Sequence, residues 1–146
     1  MEYRRLFIMR KDLQMSPGKL AAQVAHCAEA YWTHKIRESA WQNPESRNGF
    51  YDYSGTLERD EYEQYVAGAF VKTICEARNK NHLLKAKTIA EEIGLCENID
   101  FGLIYDNCRT ELAAEEENGT TLTGIWFCPL PTDVAHKISK KYQLYK

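Results

Sequence analysis

Residues 15–26, MSPGKLAAQVAH, constrain this chain more than any other stretch, because they start a helix directly after an apolar strand. Residues 3–10 carry Leu6, Phe7, Ile8 and Met9 in one run and read as that strand. Ser16 followed by Pro17 is a helix start, a hydroxyl N-cap and then a ring whose fixed φ suits the first helical position. Lys19 thus falls in the first turn of a helix that the sequence carries to about residue 36.

At about 100° per residue, Lys19, Gln23 and His26 lie within roughly 60° of one another, while Leu20, Val24, Cys27 and Tyr31 form a separate apolar stripe. A third row, Ala21, Ala22, Ala25 and Ala28, has little volume and suits close approach to a sheet or a second helix. Lys19 opposes the partial positive charge of the helix N-terminus, and an arriving anion would reverse that cost. A solvated surface lysine is the plain alternative. His26 lies about 10 Å along the axis from Lys19 at 1.5 Å per residue. It therefore reads as a buried histidine behind the site, with Gln23 partly exposed.

A chain of 146 residues can bury a core without disulfides or metals, and one domain over 1–146 is expected. No stretch approaches the ~20 apolar residues of a membrane span, and the opening MEYRRLFIMRK lacks a signal peptide's apolar region, so a cytoplasmic protein is expected. The five cysteines include no CxxC pair and no Cys/His zinc spacing, which predicts reduced thiols and neither metal nor cofactor. The net charge of -2 is uneven: residues 1–37 hold seven Lys/Arg against three Asp/Glu, and 134–146 hold four Lys and no acid. If Arg4, Arg5, Lys19, Lys137, Lys140 and Lys141 converge on one face, a nucleic-acid partner is compatible with the near-neutral total.

Further along, 42–56 is dense in turn formers and reads as a loop, 57–67 as a short helix, 69–75 as a strand and 81–93 as a helix closed by Gly94. Residues 101–105 and 121–127 read as the third and fourth strands. Pro129 and Pro131 stop the latter, and Thr132 and Asp133 open a terminal helix with Val134, Ile138 and Tyr142 at helical spacing. The order β-α-α-β-α-β-β-α predicts an α/β fold: a small four-stranded mixed sheet with helices on both faces.

In such a fold, sites collect beyond the carboxyl ends of the strands. Asp106 stands at the end of the third strand and is followed by Arg109 and Thr110, while the first strand leads to Lys19. If those two strands run parallel and adjacent, Asp106 and Lys19 share a crevice. A turn-capping aspartate is the alternative for Asp106, and a surface ion pair with Glu111 or Asp106 is the alternative for Arg109.

GKLAAQVAH after an RKDL strand end, with D-x-x-R-T-E late in the chain, resembles the peptidyl-tRNA hydrolase 2 family of archaea and eukaryotes. The likeness extends through 83–106, the fourth strand and the QLYK tail. It implies metal-independent hydrolysis of the ester joining a peptide to tRNA, with peptidyl-tRNA as the partner and a homodimer as the assembly. It carries catalytic roles to Lys19, Asp106, Thr110 and Thr121, with Thr123 the competing match two residues on, and substrate contacts to Gln23, His26 and Arg109. Ester hydrolysis needs a positioned water, a group to take its proton and donors for the oxyanion. Asp106 is the base or the holder of Lys19, Lys19 faces the oxyanion or a phosphate, and Gln23, Thr110 or Thr121 orient water or substrate.

The chain departs from the family pattern at Asn107 and Cys108, where glycine and other small residues are usual, in the run Glu115, Glu116 and Glu117, which would repel tRNA phosphates, in the length of 42–56, and at Trp126 and Phe127. Two rivals follow. One is a noncatalytic protein- or RNA-binding module presenting Trp126, Phe127, Phe50, Tyr51 and Tyr53 as an aromatic surface. The other is a thiol hydrolase using Cys108 with His26 as its base.

Overall fold

Residues 5–10 of β1 (Tyr3–Arg10) are buried without a break, as expected of a strand whose sheet is covered on both faces. The computed structural model, which describes residues 1–42 and 48–146, places β1 in the middle of a mixed sheet. After β1 come α1 (Pro17–Gln42), α2 (Arg59–Glu61) continuing into a π-helix (Tyr62–Ala69), β2 (Val71–Ala77) and α3 (Lys80–Glu92). Then follow β3 (Phe101–Asp106), β4 (Thr121–Phe127), β5 (Leu130–Pro131), α4 (Thr132–Ser139) and β6 (Gln143–Leu144). The strands lie in the order β3-β4-β1-β2-β6, with β5 paired to the first residues of β1.

The sheet has six strands where the sequence predicts four. β5 and β6 are two residues long, too short to leave a periodic signal. β1 and β2 are parallel, and β4 runs antiparallel to both β1 and β3. The first and third strands therefore point the same way but are not adjacent, because β4 lies between them. α1 continues to Gln42 because 37–42 holds neither glycine nor proline. Gly94 follows α3 at φ +93°, the left-handed conformation that closes a helix. Tyr142 lies beyond α4 rather than on it. Of the expected loop, 43–47 lie outside the described residues, and 48–56 carry no helix or named strand.

Alternation along β1 sorts the layers. Arg5 donates to the carbonyls of Ala28 and Cys27, and Met9 Sδ lies 3.8 Å from Cys27 Sγ, so the odd positions face α1. Leu6 instead shares a cavity with Ala135 and Ser139 of α4, which together with α3 covers the opposite face. On β3 and β4, Gly102 faces Trp126, and a Cβ there would sit 2.6 Å from the indole. Trp126 fills that space, 4% exposed, with its ring 5.9 Å from Tyr31. The aromatic surface expected from the sequence is thus divided: Trp126 and Phe127 are core, while Phe50, Tyr51 and Tyr53 are exposed.

Arg5 is also core, 1% exposed, and does not join a basic face. Its guanidinium lies over the Phe7 ring at 4.8 Å and Nε donates to the Phe127 carbonyl at 2.5 Å. Among the described residues, no helix is long and apolar enough to cross a membrane.

One irregularity in the sheet matters for the site. The pairing runs Ile104↔Gly124 and then Tyr105↔Leu122, which leaves Thr123 unpaired as the extra residue of a β-bulge. A bulge re-aims side chains, and here it turns Thr123 toward α1 beside Gly124, whose missing Cβ would meet Met9 and Cys27.

Candidate active site

The site begins at the N-terminus of α1. Ser16 caps it, with Oγ accepting from Lys19 N at 3.3 Å. In a self-contained capping box the residue at the Lys19 position would be an acid reaching back to the cap N–H. Here Glu111 does so from the loop after β3, accepting from Ser16 N at 2.7 Å and Ser16 Oγ at 2.6 Å. The Ser16 hydroxyl and then its N–H hold the Glu111 carboxyl below the usual range. With the cap supplied from elsewhere, the third helical position is free to carry a lysine.

Lys19 Nζ donates to Asp106 Oδ1 at 2.7 Å and to Thr110 Oγ1 at 3.3 Å. Gln23 Nε2 donates to the same Asp106 oxygen at 3.1 Å, and the other oxygen accepts from Cys108 N at 2.9 Å. Gln23 Oε1 in turn accepts from Thr123 at 2.7 Å, which fixes the amide's orientation. Gln23 is 1% exposed whereas His26 is exposed, the reverse of the expected order. The polar stripe of α1 is only half inside: Gln23 lies over the β3–β4 edge, and the turn that follows carries His26 to the surface. The alanine row is likewise not packed, since Ala21, Ala22 and Ala25 are exposed.

Asp106 is a buried carboxylate with both oxygens engaged. Burial works to raise its pKa, but the Lys19 hydrogen bond, the Cys108 N–H and the charges of Lys19 and His26 outweigh this and hold it below the ordinary aspartate value. A carboxyl depressed in the folded state contributes stability that is complete above the ordinary value and is lost as pH falls through the folded one. Between about pH 5 and pH 2 the unfolding midpoint of the wild-type chain is therefore expected to fall more steeply than that of Asp106→Asn. Thermal melts across that range check this, and parallel curves would contradict it.

The neighbours of the pair are held by the loop joining β3 to β4. Thr121, paired with Asp106 across the strands, donates to Ala113 O at 2.6 Å and accepts from Glu115 N at 3.0 Å. Cys108 adopts φ +57°, a conformation glycine takes freely, so this backbone keeps the shape that a glycine would give. Its sulfur sits 3.4 Å from Thr121 Oγ1 and 3.5 Å from Asp106 O, with no imidazole as a hydrogen-bond partner among the described residues. The acidic run is largely spent internally. Glu115 pairs with Arg10, which is 3% exposed and also donates to Asp12 through Nε and Nη2, and Glu116 pairs with Lys80.

Arg109 is exposed and makes no ion pair among the described residues. The structure thus brings Lys19, Gln23, Asp106 and Thr110 together, adds Thr123 through the bulge, and leaves the His26 and Arg109 side chains exposed. Sequence reasoning missed Glu111, although it stands inside the RTE segment. A carboxylate that caps a distant helix has no local signature.

A profile of the family described as peptidyl-tRNA hydrolase PTH2 matches residues 3–145. The mitochondrial peptidyl-tRNA hydrolase 2 of Bos taurus is 28% identical over 144 residues, covering 99% of this chain and 65% of the bovine protein. The peptidyl-tRNA hydrolase of Thermococcus sibiricus is 27% identical over 145 residues, 98% of each chain. That of Thermoplasma acidophilum is 28% identical over 136 residues, 93% of this chain and 92% of its own. The chain thus spans a little under two thirds of the bovine relative and nearly the whole of the first archaeal one.

Proposed function

The chain belongs to the peptidyl-tRNA hydrolase PTH2 family, and from that premise we propose that it hydrolyses the ester between peptide and tRNA at Lys19. The observation that supports this most is the Lys19–Asp106–Gln23 network, in which a cation at a helix N-terminus is held by one carboxylate shared with a fixed amide. A preorganised cation and N–H donors are what a developing oxyanion needs, and they cost no reorganisation at the moment of reaction. Asp106, held below its ordinary pKa with three donors on its oxygens, is a weak base. Its part is to position Lys19 and Gln23, and the proton of the attacking water passes through solvent to the departing ribose oxygen. Thr110, which accepts from Lys19, orients water or substrate in this reading, and Thr121 holds the loop that carries it. His26 and Arg109, both exposed, face the RNA.

The test is release of an N-acetylated amino acid from tRNA by the purified chain in the presence of a chelator. Cleavage is expected, and Cys108→Ala is expected to retain activity within about twofold, since the thiol's hydrogen-bond partners among the described residues are Thr121 Oγ1 and Asp106 O and not a general base. Loss of all activity in Cys108→Ala with the fold intact would revive the thiol route, and no cleavage by the wild-type chain would refute the proposal.

A further inference from the structure

A second cluster of charge lies outside the Lys19 site. Arg78 follows β2 directly, Lys140 and Lys141 follow α4, and between them the His82 and Tyr142 rings stack at 4.4 Å and 20°. Two open cavities of ≈490 and ≈420 Å³ share Arg78, His82, Lys141 and Tyr142; Lys140 lines the first and Lys85 the second. Arg78, Lys85, Lys140 and Lys141 are exposed, and none makes an ion pair among the described residues. Glu76 and Glu92 are the acids on the two walls.

The ring stack is fixed in place. His82 Nδ1 accepts from Arg78 N at 2.9 Å, Tyr142 Oη donates to His82 O at 2.6 Å, and His82 Nε2 lies 3.3 Å from Lys141 O. Burial, with the Arg78 and Lys85 charges behind it, holds His82 below the ordinary histidine value. The histidine is therefore an uncharged platform between cations, tied to both the β2–α3 turn and the segment after α4.

We infer that Arg78, Lys140 and Lys141 around the His82–Tyr142 stack form a second binding site, for the phosphate backbone of RNA. Unpaired cations beside an aromatic platform are the combination that holds RNA strands, phosphates on the charges and a sugar or base on the ring. The site also lies on the correct edge. Lys11, which begins the loop to Lys19, donates its N–H to Ala77 O at 2.8 Å, so the ends of neighbouring parallel strands lead to the two sites. This inference rests on the hydrolase reading for the identity of the RNA, a tRNA whose ester end lies at Lys19.

The experiment is binding of deacylated tRNA by fluorescence anisotropy between 50 and 200 mM KCl. It compares the wild-type chain, Arg78→Gln/Lys140→Gln/Lys141→Gln, the Lys140→Gln and Lys141→Gln single variants, and, as a control outside both cavities, Lys72→Gln, whose ammonium lies over the Phe70 ring. Each lost phosphate contact removes about 0.7 to 0.9 from the slope of log affinity against log salt. The triple variant is therefore expected to lose about 2 units of slope and at least tenfold in affinity, each single variant about one contact, and Lys72→Gln none. An unchanged slope with affinity within twofold in the triple variant, or a wild-type chain that does not bind tRNA, overturns the inference. Binding that weakens as expected in a chain that does not cleave peptidyl-tRNA would remove the hydrolase reading and leave this site standing. Cleavage with unaltered binding would do the reverse.

Discussion

Lys19→Ala is expected to lower turnover on peptidyl-tRNA at least tenfold, and about 100- to 1000-fold if Lys19 alone faces the oxyanion, the usual cost of removing one such donor. Asp106→Ala is expected to do the same without touching substrate, because Lys19 and Gln23 both lose the oxygen that aims them. Residues that act as one unit are not additive. The double variant is therefore expected to be little worse than either single one. Lys19→Arg should rescue poorly, since a planar fork does not reproduce a compact ammonium between Asp106 and Thr110. Single-turnover rates at saturating enzyme separate this from weakened tRNA binding. More than half the wild-type rate in Lys19→Ala, or fully multiplicative losses in the double variant, would contradict the shared network.

The largest effect on stability is expected at Arg5. Its guanidinium is buried with three carbonyl oxygens and two aromatic rings around it, and it makes no ion pair among the described residues. Arg5→Ala opens a cavity between β1 and α1 and removes the donor to the buried Phe127 carbonyl. Those two costs together come to about 3–5 kcal/mol. Arg5→Met fills most of the volume and keeps only the second cost, so it should lose about 1–3 kcal/mol. Urea unfolding of the three proteins checks the order. A loss under about 1 kcal/mol in Arg5→Ala would mean that the carbonyls find other partners. In the Arg5→Met protein the salt dependence of tRNA binding is expected to match the wild type, because this arginine never reaches solvent.

Arg5 also marks the boundary of what the chain discloses before folding. Periodicity and capping predict β1, β4, the Ser16–Pro17 helix start and the Gly94 stop, because each is encoded within a few residues. The pair Lys19 and Asp106 follows from strand ends and from the family likeness. Whether a given residue faces in or out is another matter. Arg5 and Lys19 are equally basic in sequence, yet one is packed against Phe7 and the other against Asp106. Gln23 and His26 exchange their expected burial for a related reason: where a helix leaves the sheet edge depends on what lies beneath it. The bulge at Thr123 and the cap from Glu111 are relations between distant segments and have no local trace. Nor do β5 and β6, which exist only as partners to β1 and β2.

The bonds that build the site join residues far apart along the chain: Lys19 to Asp106 is a separation of 87, Ser16 to Glu111 of 95, and Gln23 to Thr123 of 100. Contacts of such range close large loops before they return any free energy, and they form late. During synthesis β1 and α1 leave the ribosome long before the strand that completes Gln23 exists. β3 joins β1 only through β4, so until β4 is in place Asp106 is not brought to Lys19. A chain released early, or one whose β4 is slow to insert between β1 and β3, therefore carries the opening motif intact and has no site.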